Sequence, residues 1–197
     1  MKKLLFSALI IIIIIVLSMF FYERNYLNPV NEKYRVYSDL IESRFNDVKE
    51  KSIVIMDSEG WPLGSDKTSM EEILETYKKV IPELELSTVK DYELNIQKNV
   101  VLESNFHLTH KYYIYTNDKF KALFNNNQNG WGQFHELYPD SIGVISFSNI
   151  GFNEKKDQAL LCYEFGSNYL ATDKCIYFLV KIKNHWVIKK SLICEMS

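Results

Sequence analysis

Residues 158–194 read QALLCYEFGSNYLATDKCIYFLVKIKNHWVIKKSLIC, and this stretch decides the fold. Cys175 to Ile182 and Trp186 to Cys194 are apolar, β-branched and aromatic runs around a polar step at Lys183-Asn184 or Asn184-His185. That is the pattern of a β-hairpin. Gln158 to Phe165 forms a third run, and Gly143 to Ile150 a fourth, separated by the polar turn Asn153 to Asp157. The four runs predict a C-terminal antiparallel β-meander.

Helical patterns dominate the chain before it. Asn28-Pro29 reads as an N-cap followed by proline at the first helical position. Val30, Tyr34, Tyr37, Ile41, Phe45 and Val48 then recur at three- and four-residue spacing, one apolar stripe on a helix. Ser52 to Met56 is a short apolar, β-branched strand, and Asp57 to Pro62 is turn chemistry. Ser69 with Glu72 forms a capping box ahead of Met70, Ile73, Leu74, Tyr77 and Val80, and Pro82 ends that helix. Asp91 to Glu103 is ambiguous with helical character. Lys111 to Thr116 is a strand and Asp118 to Phe124 a short helix. Trp131, Phe134 and Tyr138 share one helical face that stops at Pro139.

At the N-terminus, Leu4 to Phe21 carry no charge and follow Lys2 and Lys3. A helix of that length is about 27 Å long at 1.5 Å per residue, close to the hydrocarbon thickness. The apolar core is too long for a cleaved signal peptide, and no small-x-small cleavage pattern follows it. The expectation is therefore an uncleaved signal-anchor transmembrane helix over residues 1–24. A single extracytoplasmic domain over 25–197 would stand outside the inner (cytoplasmic) membrane of a bacterial cell. The predicted fold class is α+β: an N-terminal transmembrane helix, then helices packed on a C-terminal antiparallel β-meander.

The motifs also carry a resemblance. Trp131, Phe134, Tyr138-Pro139, Ser141, Gly143, Ser148 to Asn153 and Gln158 to Leu160 occur in a fixed order. The series resembles an uncharacterised family of exported, membrane-anchored bacterial domains with a W-x-x-F, Y-P, S-x-V-G-F-N, Q-A-L pattern and a closing tryptophan hairpin, echoed here at Trp186. Asn149 stands where that family carries a basic residue. Residues 166–174 replace its glycine- and cysteine-rich loop. The resemblance implies an exported compartment and a fold, and no activity.

Composition narrows the function classes. The chain has 197 residues, 47% hydrophobic and 24% charged, with a net charge of −2. Disorder is excluded, and so is the basic excess that nucleic-acid binding requires. His107 and His110 fall on opposite faces of a strand, so no metal and no cofactor are expected. Asp57, Glu59 and Asp66 read as solvated loop charge. Trp131, His135, Ser148, Asn149 and Asn153 are the predicted ligand- or partner-binding residues, around a pocket between the sheet and the Trp131 helix. Cys175 and Cys194 face each other if the last hairpin turns at Asn184-His185, and do not if it turns at Lys183-Asn184. Aromatic residues make up 14% of the chain. A surplus of them at the surface would mark a partner site.

These residues predict a non-catalytic binding module contacting an envelope protein, in its narrower form an immunity protein against a delivered toxin. The alternative is an envelope hydrolase or accessory enzyme with a small polar pocket near Ser148, Asn149 and His135.

Overall fold

A computed structural model describes residues 11–16, 29–59, 77, 79–96, 98, 100–125, 129–169 and 171–196. The Asp57–Pro62 turn beyond Glu59, Asp66 and the Ser69–Glu72 capping box lie outside the described residues, as do Asn28 and residues 126–128.

Helix α1 (Pro29–Phe45) leads through a 3₁₀ turn (Asn46–Val48) to strand β1 (Ser52–Glu59). Helix α2 (Leu86–Asn95), β2 (Val100–Val101) and β3 (Tyr112–Tyr115) follow, then α3 (Asn117–Asn125) and α4 (Gly130–Leu137). The chain closes with β4 (Ser141–Phe147), β5 (Gly151–Phe152), β6 (Gln158–Asn168), β7 (Ala171–Ile182) and β8 (His185–Met196). The strands form one sheet in the order β2-β1-β4-β6-β7-β8, with β3 also on β1 and β5 on β6.

Two parts of the predicted fold class need correction. Among the described residues no helix is long and apolar enough to cross a membrane. The described helical stretch there, residues 11–16, is only about 9 Å long at 1.5 Å per residue, and the rest of the apolar run lies outside the described residues. The sheet, moreover, is mixed. Only its β4-β6-β7-β8 half is an antiparallel meander. Strand β1 pairs in parallel with both β3 and β4 and so sits inside the sheet.

The burial pattern explains the place of β1. Ile53 and Ile55 join one core cluster, while Val54 and Met56 join another on the opposite face. A strand covered on both faces reads as an unbroken apolar run. Helix α1 lies on the first face, its Tyr34, Tyr37, Leu40 and Ile41 packed with Ile145, Phe147, Leu161, Tyr177 and Trp186. Tyr37 stacks on Phe147 at 4.4 Å, and its hydroxyl donates to the Ser148 carbonyl at 2.8 Å. The second face holds Val89 and Tyr92 of α2 against Leu160, Cys162 and Phe178, and Phe134 of α4 against Val54 and Val144. The helices therefore cover both faces of the sheet.

A buried carboxylate fixes α1 to the end of the β7–β8 hairpin. Glu32 is 1% exposed. It accepts the Trp186 indole N–H at 2.7 Å and pairs with Lys181 Nζ at 2.8 Å and Arg35 Nη1 at 3.2 Å. The hairpin turns at Lys183-Asn184, both at positive φ (48° and 70°), the signature of a tight two-residue connection. Register shifts between Phe178 and Leu179 and between Lys174 and Ile176 then move β8 along β7. With Lys174 opposite Glu195 and Ile176 opposite Leu192, Cys175 falls opposite the Ile193–Cys194 step of the backbone. Cys175 is disulfide-bonded, and Cys162 is buried and outside any disulfide. The Cys194 side chain lies outside the described residues.

Candidate binding surfaces

The five residues singled out from the sequence divide between the two ends of the sheet. Ser148, Asn149 and Asn153 belong to the β4–β5 and β5–β6 connections. Trp131 and His135 sit on α4, beside Gly166 and Ser167 at the far end of β6. Gln158, which donates its N–H to Asn153, and Gly166, beneath Trp131, are eight residues apart on β6. At about 3.3 Å per residue that is roughly 26 Å. Ser148 lies nearer, since its hydroxyl accepts the N–H of Cys162, four residues from Gly166 or roughly 13 Å along the strand; the groove described below is lined by Asn149 and Asn153, not by Trp131, His135 or Ser148.

At the first end the polar residues are buried and committed to the fold. The Ser148 hydroxyl donates to the Asn149 carbonyl and accepts the Cys162 N–H, both at 2.8 Å. Asn149 Nδ2 donates to the carbonyls of Asn95 (2.9 Å) and Lys98 (2.6 Å), capping the C-terminal end of α2. Asn153 Oδ1 accepts the N–H groups of Asp157 (2.9 Å) and Gln158 (3.0 Å), while its Nδ2 donates to Asp157 Oδ1. This is the local side-chain turn chemistry that asparagine favours.

Beside these residues, between α2 and the β5 strand with its following turn, runs a groove of about 680 Å³ that is open to solvent. Its surface is mostly apolar, with Ile150, Phe152 and Leu94 among its lining residues. Lys33, Lys90 and Lys156 stand around it together with Asp91 and Glu154. The walls are pinned. Asp91 Oδ2 accepts the Phe152 N–H at 2.8 Å. A Cβ built on Gly151 would meet Tyr92 N at 2.3 Å and the Thr88 carbonyl at 2.5 Å, so the helix backbone rests on this glycine. Behind the groove wall the phenols of Tyr92 and Tyr77 lie in the core near Cys162, and burial pushes both well above the usual tyrosine range.

Helix α2 lies where the sequence was ambiguous. Thr88, Val89 and Tyr92 make its buried face, but Leu94 sits about 200° around the helix from Tyr92 at 100° per residue. It is 71% exposed. An apolar residue out of phase with its own stripe was the available signal for this surface.

The other end of the sheet carries an aromatic cluster. Trp131 packs edge-on against Phe124 (5.4 Å) and Phe134 (5.4 Å) and lies parallel to the His135 ring at 6.1 Å. Gly166 leaves room for the indole, since an added Cβ would stand 3.3 Å from Trp131 Cζ2. Phe124 continues to Tyr169, which is 57% exposed, and Leu137 on the same helix as Trp131 is 59% exposed. His135 is exposed, and its Nε2 lies 3.0 Å from the Ser167 carbonyl.

The two other histidines weighed for metal binding are separate in role. His107 is exposed, whereas His110 is buried with its ring nitrogens near Glu42 (3.4 Å) and the Phe45 carbonyl (3.1 Å). Among the described residues no group of three His, Cys, Asp or Glu side chains could hold a metal ion. No family model, no curated protein and no solved structure matches this chain.

Proposed function

We propose that the chain is an extracytoplasmic, non-catalytic binding module that contacts an envelope protein. The observation that carries this reading is the half-exposed aromatic cluster of Phe124, Trp131 and Tyr169 beside exposed Leu137. Rigid aromatic side chains, partly packed and partly open, are the usual anchors of protein interfaces. The disulfide at Cys175 supports an oxidising compartment, where such bonds persist. The exported family that the motif series resembles belongs to the same proposal, and so does the narrower form of the function, neutralisation of a toxin delivered to the envelope.

The test is a photo-crosslinking phenylalanine analogue at Tyr169 in the full chain, expressed in its own host. One crosslinked protein is expected, lost when Trp131→Ala is added and absent when the probe stands at exposed Lys189. Equal labelling from positions 169 and 189, or none from 169, overturns the reading. For the narrower form, deletion cells must die when challenged with the partner toxin; their survival rules immunity out.

A further inference from the structure

One buried titratable ring takes no part in the reading above. His110 is 3% exposed and stands near the end of residues 102–111, which form neither helix nor strand. This segment lies along α1 as a strap. Tyr34, Ser38 and Glu42 are spaced one turn apart on that helix, and each receives a backbone N–H from the strap. Glu103 donates to the Tyr34 hydroxyl at 2.6 Å, His107 to the Ser38 hydroxyl at 2.9 Å, and Thr109 to the Glu42 carboxylate at 2.5 Å. Buried Phe106 anchors the middle of the strap in the core.

The His110 ring fastens its end, between two acceptors. Nε2 stands 3.1 Å from the Phe45 carbonyl, and Nδ1 stands 3.4 Å from Glu42 Oε1. A neutral imidazole has one N–H, so one of its nitrogens must turn a lone pair towards an oxygen. The distances assign the hydrogen to Nε2 and leave Nδ1 as the long, unfilled contact. Burial pushes the Glu42 carboxyl up, but the bonds from Thr109 and the His110 ring outweigh it and hold the group below its ordinary value, so it is ionised throughout the neutral range. Phe45 is the last residue of α1, and its carbonyl belongs to the negative end of that helix. A cation therefore suits both sides of this ring. The other charged groups of the elements meeting there point elsewhere. Arg44 pairs with Asp173, and Lys111 lies over the Tyr113 ring. Asp47, Lys49, Glu50 and Lys51 of the following turn are exposed, as is His107 on the strap.

We propose that His110 is a proton-operated clasp that ties the strap to the C-terminal end of α1. A second proton, taken from water onto Nδ1, turns the long contact with Glu42 into an N⁺–H···O⁻ bond. Nε2 keeps its bond to the Phe45 carbonyl. A charge-assisted bond of this kind is roughly twice as strong as a neutral one. The proton closes the clasp because the tied form offers it an interaction that the loose form lacks. The working range is about pH 8 to 5, where histidine is the side chain that ordinarily changes charge. The clasp makes the α1 face of the domain firmer in mildly acidic surroundings, and it stands independently of the binding-module reading.

The experiment is hydrogen exchange read by NMR on the full chain, at about pH 8 and about pH 6, inside the range where histidine changes charge. Each amide's rate is divided by its rate in the unfolded chain at the same pH. The His107 and Thr109 amides should be about fivefold better protected at the lower pH, the gain of exchanging a neutral contact for a charge-assisted one. The amides of Leu161 and Tyr177, inside the sheet, should not follow. Nitrogen-15 spectra of the wild-type imidazole should show Nδ1 of His110 gaining a hydrogen over the same interval while Nε2 keeps one. Glu42→Gln preserves an acceptor for Thr109 and removes the charge, so it should flatten the pH response. A ring that still carries a single hydrogen at the lower pH overturns the proposal, and this reading needs no variant to fold. Equal protection at both pH values overturns it too, as does a pH response that survives Glu42→Gln. The crosslink at Tyr169 reports on the other surface, and neither result decides the other.

Discussion

Asn149 illustrates how a single polar side chain was legible in kind and illegible in role. An asparagine beside a glycine at a strand end signals a turn or a ligand-facing lip, and the sequence carries nothing to separate the two. The separation comes from a helix end more than fifty residues earlier, whose carbonyls of Asn95 and Lys98 take both hydrogens of its amide. Asn149→Ala removes both bonds from a buried position and is expected to cost about 1–3 kcal/mol, read as a lower urea midpoint with unchanged slope. Glu42 gives a pH-dependent case. Burial pushes its carboxyl up, but the N–H and hydroxyl of Thr109 and the His110 ring outweigh that and hold it below the ordinary value of 4.5. A carboxylate with a lowered folded pKa adds stability that is complete above its unfolded pKa and disappears as pH falls through the folded value. The stability gap between wild type and Glu42→Gln should therefore be widest at neutral pH and close as the medium is acidified below about 4.5. A gap that is constant with pH would contradict the assignment.

At the level of elements, periodicity located the longer described strands and helices, because amphipathic spacing is a local property, but not the short strands β2 and β5, and it placed the uncertain helical stretch at Asp91–Glu103 where the helix is Leu86–Asn95. The spans agree closely for the Trp131 helix, found at Gly130–Leu137, and for the Lys111–Thr116 strand, found at Tyr112–Tyr115. Partnership between elements is not local, and there the sequence was silent. Nothing in Ser52 to Met56 says that its neighbours are Tyr112–Tyr115 on one side and the β4 strand on the other. For the same reason the expected binding residues took in both Trp131 and Asn153, although these lie against positions of β6 roughly 26 Å apart. Gly151 shows how one contact between elements shapes the groove. It is the point where the α2 backbone touches β5. Gly151→Ala must push the helix away and is expected to destabilise the fold by about 1–3 kcal/mol. Gly166→Ala, where the nearest atoms to an added Cβ are the Trp131 ring edge at 3.3 Å and Thr172 Cγ2 at 3.8 Å, should cost less.

The whole molecule depends on its C-terminal strand in two ways. Through Trp186, β8 completes the core beneath α1, and on β7, its neighbour, Cys175 is disulfide-bonded. Reduction is expected to lower unfolding stability by about 2–4 kcal/mol, seen as a shifted urea midpoint in dithiothreitol that Cys175→Ala already shows without the reductant. The register of that hairpin was the least legible part of the sheet, because bulges leave no pattern in a run of apolar residues. The position of β1 has a further consequence, for the birth of the chain. Ser52 pairs with Ser141, so this interior strand waits about 90 residues for its neighbour on β4. At 5–20 residues per second of synthesis, that is roughly 5–18 seconds. The meander from β6 to β8, by contrast, closes through short turns between consecutive strands. Refolding should accordingly run on the millisecond-to-second scale of non-local sheets. In pulsed hydrogen exchange, amides of β6 and β7 should gain protection before those of Ile53 to Met56. Ile53 to Met56, buried in the finished protein, thus keep one edge open while most of the chain is made, and that apolar edge is a hazard until β4 arrives.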